Sequence, residues 1–248
     1  MKIKTKKIDI TPDKTLFPKI GQTGYTVAQA LSELIDNSID ARDGSVEIDI
    51  KIDKKNGYIL VADNGTGMTE KVATNSIVLG SSRKKEGDLG QFGIGLKAAC
   101  MSLGKKFIIE TSPKDCDEEY VLVFDEDEFI RTGDWKKFEI QIKNGVDKNK
   151  SFTIIKIEKL KIKFYGTIFE VLKRHLSERF TPFIANEEVV IKLNGEKIKA
   201  EPFDIFPDSR KDFTIKLSNG EIITGWTGIL KVGSVERSGF NLYRYKRL

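Results

Sequence analysis

Across residues 26–62 the hydrophobic pattern changes from a helical period to a strand period, and no other feature constrains the fold as much. In residues 26–41, TVAQALSELIDNSIDA, Val27, Ala30, Leu31, Leu34, Ile35 and Ile39 recur at three- and four-residue intervals. That spacing lays one apolar stripe along a helix. Thr26 suits an N-cap, and Arg42-Asp43-Gly44 ends the pattern. Residues 46–52, VEIDIKI, then alternate apolar and polar as a half-buried strand does. Lys54-Lys55-Asn56-Gly57 holds the Asn-Gly pair favoured in hairpin turns, and Tyr58–Ala62 is the returning strand. That strand runs directly into Asp63-Asn64-Gly65-Thr66-Gly67-Met68. Helix and strand are mixed within one short segment, so neither an all-helical nor an all-strand chain fits.

Further along, residues 70–79 read as a helix, and another starts near Ile94 with Leu96, Ala98, Ala99, Met101 and Leu103. Between them, Gly80 to Gly95 is polar, glycine-containing and without period. Strands are expected at Lys106–Thr111, Tyr120–Phe124, Phe138–Ile142 and Phe152–Ile157, with charged turns such as Asp125–Glu128 read as solvated loops. Residues 164–180 read as a helix that Pro182 breaks, with a domain boundary near Phe180: 1–180 as one domain, 181–248 as part of a second. Beyond it, strand pairs are expected around Asn194-Gly195 and Asn219-Gly220, with more strand in Gly225–Gly233 and Gly239–Leu248.

Composition excludes several function classes. No apolar run approaches the ~20 residues needed to span a bilayer, and the basic N-terminus lacks the apolar stretch of a signal peptide, so no membrane contact and a cytoplasmic location are expected. Cys100 and Cys116 have no metal-ligand spacing and read as reduced thiols. His175 is the single histidine, which rules out a Ser-His-Asp triad or a His-rich metal site and suits a surface or helix-packing role. The net charge of +5 gathers at the ends: Lys2, Lys4, Lys6 and Lys7 at one, Arg244, Lys246 and Arg247 at the other, leaving −2 between. A basic stripe across a folded face is not required.

Three clusters carry chemistry. Glu33 and Asn37, four residues apart, share one helix face beside the apolar stripe. An Asn oxygen is a hard ligand suited to Mg²⁺, and a nearby carboxylate can deprotonate a water for attack on a phosphoryl group. Asp36 and Asp40 lie on the same polar side, and an ordinary solvated face is the plain alternative. Asp63 at a strand end, followed by Gly65 and Gly67, places an acceptor carboxylate beside backbone that a flat ligand can approach, although Asp-Asn-Gly is also good turn chemistry. Gly90-Gln91-Phe92-Gly93-Ile94-Gly95-Leu96-Lys97 is a glycine-rich loop opening a helix, where N–H groups and the helix dipole favour phosphate. It is neither a Walker A loop nor a Rossmann fingerprint. Ser81, Ser82, Arg83, Lys84 and Lys85 precede it as a basic loop, either merely exposed or a lid over phosphates.

In that order and spacing, ELIDNSIDA, strand-DNGTGM and GQFGIGLKAA resemble the GHKL superfamily: DNA gyrase, the heat-shock chaperones of ninety kilodaltons, sensor histidine kinases and MutL. The likeness covers roughly residues 20–160. It implies the Bergerat fold, a two-layer α/β (α+β) sandwich that binds ATP with Mg²⁺. By the resemblance Glu33 is the general base and Asn37 the metal ligand. Asp63 is the adenine-binding carboxylate, and Gly65, Gly67 and Met68 form the pocket floor. Ser81, Ser82 and Lys84 belong to the lid, and Gly90 through Lys97 form the phosphate-side loop and helix start. Thr153 is the preferred support of the adenine carboxylate, with Thr167 competing. Residues 181–248 resemble the start of the S5-like transducer domain of MutL and MORC proteins, which implies a fragment of a longer protein. The implied function is a slow ATPase whose nucleotide gates homodimerisation of the full-length protein, with residues 1–25 as an exchanged strap. Any DNA contact is expected through regions outside this fragment. Alternatives are histidine-kinase-type phosphotransfer, disfavoured by Glu33, and a non-hydrolysing nucleotide-binding module.

Overall fold

A computed structural model describes residues 7–9, 11–22, 24–80, 93–135, 138–234 and 238–243. Helix α1 (Leu16–Ile20) is short and is held by one side chain. Phe17 is buried among Phe124, Phe129 and Trp135, with ring centroids 5.0, 5.1 and 5.0 Å away. In this single chain, Phe17, within the segment expected as a strap, thus packs on the Phe124 and Phe129 side of the core.

Helix α2 (Val27–Asp40) begins with a capping box: Thr26 accepts from the Gln29 N–H while the Gln29 side chain accepts from the Thr26 N–H. Its stripe, Ala30, Leu31, Leu34, Ile35 and Ile39, is almost wholly buried. Strands β1 (Val46–Asp53) and β2 (Tyr58–Asp63) form the expected antiparallel hairpin, with Ile50 opposite Val61. Helices α3 (Glu70–Ile77) and α4 (Gly95–Leu103) follow, then β3 (Gly104–Ser112) and β4 (Glu118–Asp125).

The segment read as a solvated loop at Asp125–Glu128 opens a helix instead, α5 (Glu126–Thr132). Asp125 caps it, accepting from the Asp127 and Glu128 N–H groups, and Gly133 ends it in the left-handed conformation. Acidic residues in a first turn complement the helix dipole, so the run of charge is a helix start. Glu126 is buried against Lys161.

Strands β5 (Ile140–Asn144) and β6 (Phe152–Leu160) precede α6 (Ile168–Ala185). Helix α6 starts later than expected and continues through Pro182, with Phe180, Phe183 and Ile184 buried after or around it. Burying each such side chain is worth about 1.5–3 kcal/mol, which together outweighs a proline cost of about 3 kcal/mol. Strands β7 (Val189–Leu193) and β8 (Glu196–Lys197) complete one eight-stranded sheet in the order β5-β4-β3-β6-β2-β1-β7-β8. All pairs are antiparallel except β1 with β7. Strands β7 and β8, which follow Phe180, thus belong to the same sheet as β1.

The strands bury alternate residues: Ile48 and Ile50, Ile59 and Val61, Phe107 and Ile109, Ile155 and Ile157, Ile191 and Leu193. These meet α2, α4 and α6 in one core, which makes two layers. Past the sheet, β9 (Lys211–Lys216) and β10 (Ile222–Thr227) pair around Asn219-Gly220 as a separate two-stranded unit. The extra strands expected beyond are absent from residues 228–234 and 238–243, where Leu230 makes only an isolated bridge to Ile205. The rest of the terminal segment, 244–248, lies outside the described residues.

Candidate functional site

The end of β2 brings a carboxylate and a glycine-containing turn together. Asp63 lies opposite Ile48 on β1 and opposite Thr153 on β6. One of its carboxylate oxygens accepts the Ser38 hydroxyl at 2.7 Å, and the other accepts the Gly65 N–H at 3.0 Å. Burial pushes the Asp63 carboxyl above its usual range, against the downward pull of those two hydrogen bonds. Ser38 is thus the direct support of this carboxylate. Thr153, expected in that role, is adjacent but its hydroxyl lies 3.2 Å from that of Thr111. Thr111 in turn accepts the Met68 N–H at 2.8 Å, which ties the turn after β2 to β3. Thr167 stands at the N-cap position of α6.

The two glycines of this turn have steric reasons. Gly65 packs on α2's end: an added Cβ would sit 2.8 Å from the Ala41 carbonyl oxygen. Gly67 has φ +66°, and its Cβ would fall 2.0 Å from the Ser112 carbonyl oxygen. No side chain fits at Gly67, and Gly65 is buried, so the turn is packed backbone to backbone against the end of α2 and the end of β3. Met68 is half-buried and packs on the core.

The second end of the site forms where α2 meets α4. Glu33 and Asn37 are both half-buried, one turn apart on α2. The Asn37 amide donates to the Glu33 backbone carbonyl at 2.7 Å. A Cβ on Gly95, the first residue of α4, would lie 2.6 Å from the Glu33 carboxylate oxygen. The carboxylate therefore rests directly against the helix start, and a larger residue at position 95 would make the Glu33 side chain shift. Gly93 precedes with φ +63°, and Ile94 takes the N-cap position with its side chain exposed. Leu96 packs on the core.

Lys97 departs from its expected place on the phosphate side. It is buried, and its ammonium donates to the Ser76 carbonyl at 2.7 Å, in the last turn of α3. Burial lowers its pKa to about 8. A cation on terminal helix carbonyls satisfies groups that lack intrahelical partners. Asp36, expected on a solvated face, is also buried, and it pairs with Arg179 of α6 at 4.0 Å. Ser81, Ser82, Arg83, Lys84, Lys85, Gly90, Gln91 and Phe92 lie outside the described residues.

Ser38 was the most accessible of the missed residues. It falls four residues after Leu34 and seven after Leu31, so it is a polar residue on the apolar stripe and had to be buried. Thr111 and Ser76 had no local signal, because their roles depend on which strand and helix end come near.

A family model described as histidine kinase-, DNA gyrase B-, and HSP90-like ATPase matches residues 25–153, just over half of the chain. The chain belongs to this ATPase family. Mouse ATPase MORC2A and human ATPase MORC2 are each 37% identical over 92 residues, covering 35% of this chain and 9% of those proteins. The chaperone protein HtpG of Rickettsia canadensis (strain McKiel) is 29% identical over 119 residues, covering 41% of this chain and 19% of HtpG. The matched stretch thus spans a small part of each relative. The ATPase region of Saccharomyces cerevisiae topoisomerase II, bound to ICRF-187 (dexrazoxane), superposes with a TM-score of 0.55 at 20% identity. That match covers 71% of this chain and 49% of the other. The ATPase and transducer domains of topoisomerase II from Balamuthia mandrillaris give 0.55 and 20%, over 70% and 48%. These structural likenesses establish the ATPase-family fold; the family match covers both the α2 carboxylate and the β2 turn.

Proposed function

We propose that this chain binds ATP with Mg²⁺, hydrolyses it slowly, and lets the nucleotide gate dimerisation of a longer protein. The observation that carries the reading is the arrangement on α2. Ser38 holds the Asp63 carboxylate, and Glu33, five residues earlier, rests on the start of α4. At 1.5 Å per residue the two lie roughly 7.5 Å apart along the helix axis. One rigid element thus holds an acceptor carboxylate beside a glycine turn and a second carboxylate beside a helix N-terminus. The first suits the amino group of adenine, the second a phosphate end whose attacking water needs a base.

The donor set at Glu33 and Asn37 fits Mg²⁺. The Asn37 amide nitrogen donates to a backbone carbonyl, and its side-chain oxygen is the atom type that Mg²⁺ takes. Among the described residues no group of three or more His, Cys, Asp or Glu could cage a metal, and Mg²⁺ takes few protein oxygens, completing its shell with phosphates and water. When bound it would neutralise charge on the phosphates. Glu33 would orient the attacking water and take its proton, and the α4 N–H groups would face the phosphate oxygens.

Dimerisation rests on the likeness to the larger relatives. Because Phe17 is locked in an aromatic cage, any exchanged strap is confined to residues before Leu16. In this reading the partial transducer expected within 181–248 begins after Lys197, because β8 is the last strand of the main sheet. Phosphate release and calorimetry on the wild type and Glu33→Ala test the core of the reading. The variant should bind an ATP analogue and Mg²⁺ like the wild type while turnover falls about 10²–10⁴-fold, the usual cost of losing a general base. Equal turnover in both would remove Glu33 from the mechanism, and no nucleotide binding by either would overturn the function.

A further inference from the structure

Helix α6 contacts the site-bearing helix through polar groups that the proposed chemistry leaves unused. On α6, His175 and Arg179 are four residues apart and share one face. On α2, Ser32 and Asp36 have the same spacing. The Ser32 hydroxyl lies 3.4 Å from His175 Nε2, and the Asp36 carboxylate lies 4.0 Å from the Arg179 guanidinium. Ser32 and Asp36 are both buried, so both contacts are shielded from water. The two helices are joined by a two-rung polar ladder one turn long.

The rungs sit one residue before Glu33 and Asn37, so each rung is about 100° round the helix from the residue it precedes. Elsewhere α2 rests on Leu31, Leu34, Ile35 and Ile39. Apolar burial is non-directional and tolerates a small rotation of the helix about its axis. Charged and hydrogen-bonded contacts do not. With a side-chain radius of about 5–6 Å, each 10° of rotation moves a side-chain tip by about 1 Å. A displacement of that size at a reacting group can cost about 10²-fold in rate.

We propose that Arg179, assisted by His175, is a positioning residue: through Asp36 and Ser32 it sets the rotation of α2, and with it the placement of Glu33 against Gly95. The opposite side of α6 holds the outgoing chain. Ser177 donates to the Lys199 carbonyl at 2.7 Å, and Thr181 accepts the Glu201 N–H at 3.0 Å. These residues lead from the main sheet towards β9 and β10. One helix thus grips the Ser32–Asp36 face of α2 on one side and the path to the second unit on the other, so a shift of that unit acts on Glu33 through α6 and the rotation of α2. The catalytic half of this inference rests on the proposed hydrolysis; the positional half does not.

The test compares wild type, Arg179→Met, Arg179→Lys, Asp36→Asn and the Asp36→Asn/Arg179→Met double variant. Measured are kcat and KM per folded molecule, affinity for a non-hydrolysable ATP analogue, and hydrogen exchange of the α2 amides. Arg179→Met is expected to lower kcat ten- to a hundredfold while affinity, which depends on Asp63, changes less than about threefold. Arg179→Lys should recover part of the rate. The double variant should regain thermal stability without regaining kcat, separating position from folding. Exchange over α2 should rise in Arg179→Met and stay unchanged in α4. A loss of rate explained wholly by unfolded protein, with α2 exchange unchanged, overturns the proposal. If the wild type binds nucleotide but does not turn it over, the hydrolysis reading fails, and α2 exchange alone decides whether Arg179 positions the helix.

Discussion

At the residue scale the site depends on two buried or half-buried carboxylates in different company. Asp63 has an upward-shifted carboxyl because burial outweighs its two hydrogen bonds. For an acid whose folded pKa is raised, the folded state holds the proton more tightly. Its contribution to stability is therefore lost as pH rises from the ordinary carboxylate value through the folded one. The ionised form is the one that accepts a hydrogen-bonded amino group, so nucleotide affinity should fall as pH drops through the raised value. Asp63→Asn should abolish that pH dependence. It should weaken binding roughly ten- to a hundredfold, the cost of about 1.5–3 kcal/mol for a charge-assisted hydrogen bond, without lowering the melting temperature of the nucleotide-free protein. Calorimetry across pH, with thermal melts of both forms, checks this. Gly95→Ala is a sharper probe of the other end. Its methyl would strike the Glu33 carboxylate at 2.6 Å, so turnover should fall at least tenfold, as expected from misplacing a reacting group by about an ångström. A variant with wild-type turnover would show that the carboxylate's contact with α4 has no role in the reaction.

At the element scale, two lysines tie helix ends together. Lys161 donates to the Met101 carbonyl near the end of α4 and pairs with Glu126 of α5. Lys97 performs the same service for α3 from within α4. Its pKa of about 8 lies below the ordinary lysine value of 10.5. Here the folded state holds fewer protons than the unfolded chain between those two values, so this group's contribution to stability rises with pH across that window. Lys97→Met should flatten that rise while also removing the bond to Ser76. Urea unfolding at pH 7.5 and pH 9.5, before and after the substitution, tests it: a wild-type gain matched by the methionine variant would assign the slope to other groups. Packing, rather than local preference, likewise carries α6 past Pro182, since the residues that follow the proline have the core to fill.

At the scale of the whole molecule, the eight-stranded sheet takes in β7 and β8, and α1 packs on the same core. Phe17→Ala would empty the cage of Phe124, Phe129 and Trp135, and should cost about 3–5 kcal/mol, read as a lower midpoint in denaturant. The proposed gating predicts a molecular mass by light scattering that doubles only with Mg²⁺ and a non-hydrolysable ATP analogue. A truncation that removes the residues before Leu16 should bind nucleotide normally yet remain a monomer. Dimerisation of that truncated form to the same extent would place the contact elsewhere.

Much of this was legible before any coordinates. Periodicity alone located α2, the β1–β2 hairpin and the strands that bury alternate residues, because those patterns are the direct imprint of one-sided burial. Glu33, Asn37 and Asp63 stood out because short spacings along a helix or a turn are local geometry. The acidic start of α5 and the polar Ser38 on an apolar stripe were also written there, though each resembled an exposed feature. What only tertiary structure decided were the pairings across distance: Ser38 with Asp63, Thr111 with Met68, Lys97 with Ser76, Asp36 with Arg179. A charged side chain reads as solvated until another element brings a partner, and which element arrives is settled by sheet order. The same reason hid the reach of the sheet, since β7 joins β1 in parallel only after α6 has crossed the layer between them.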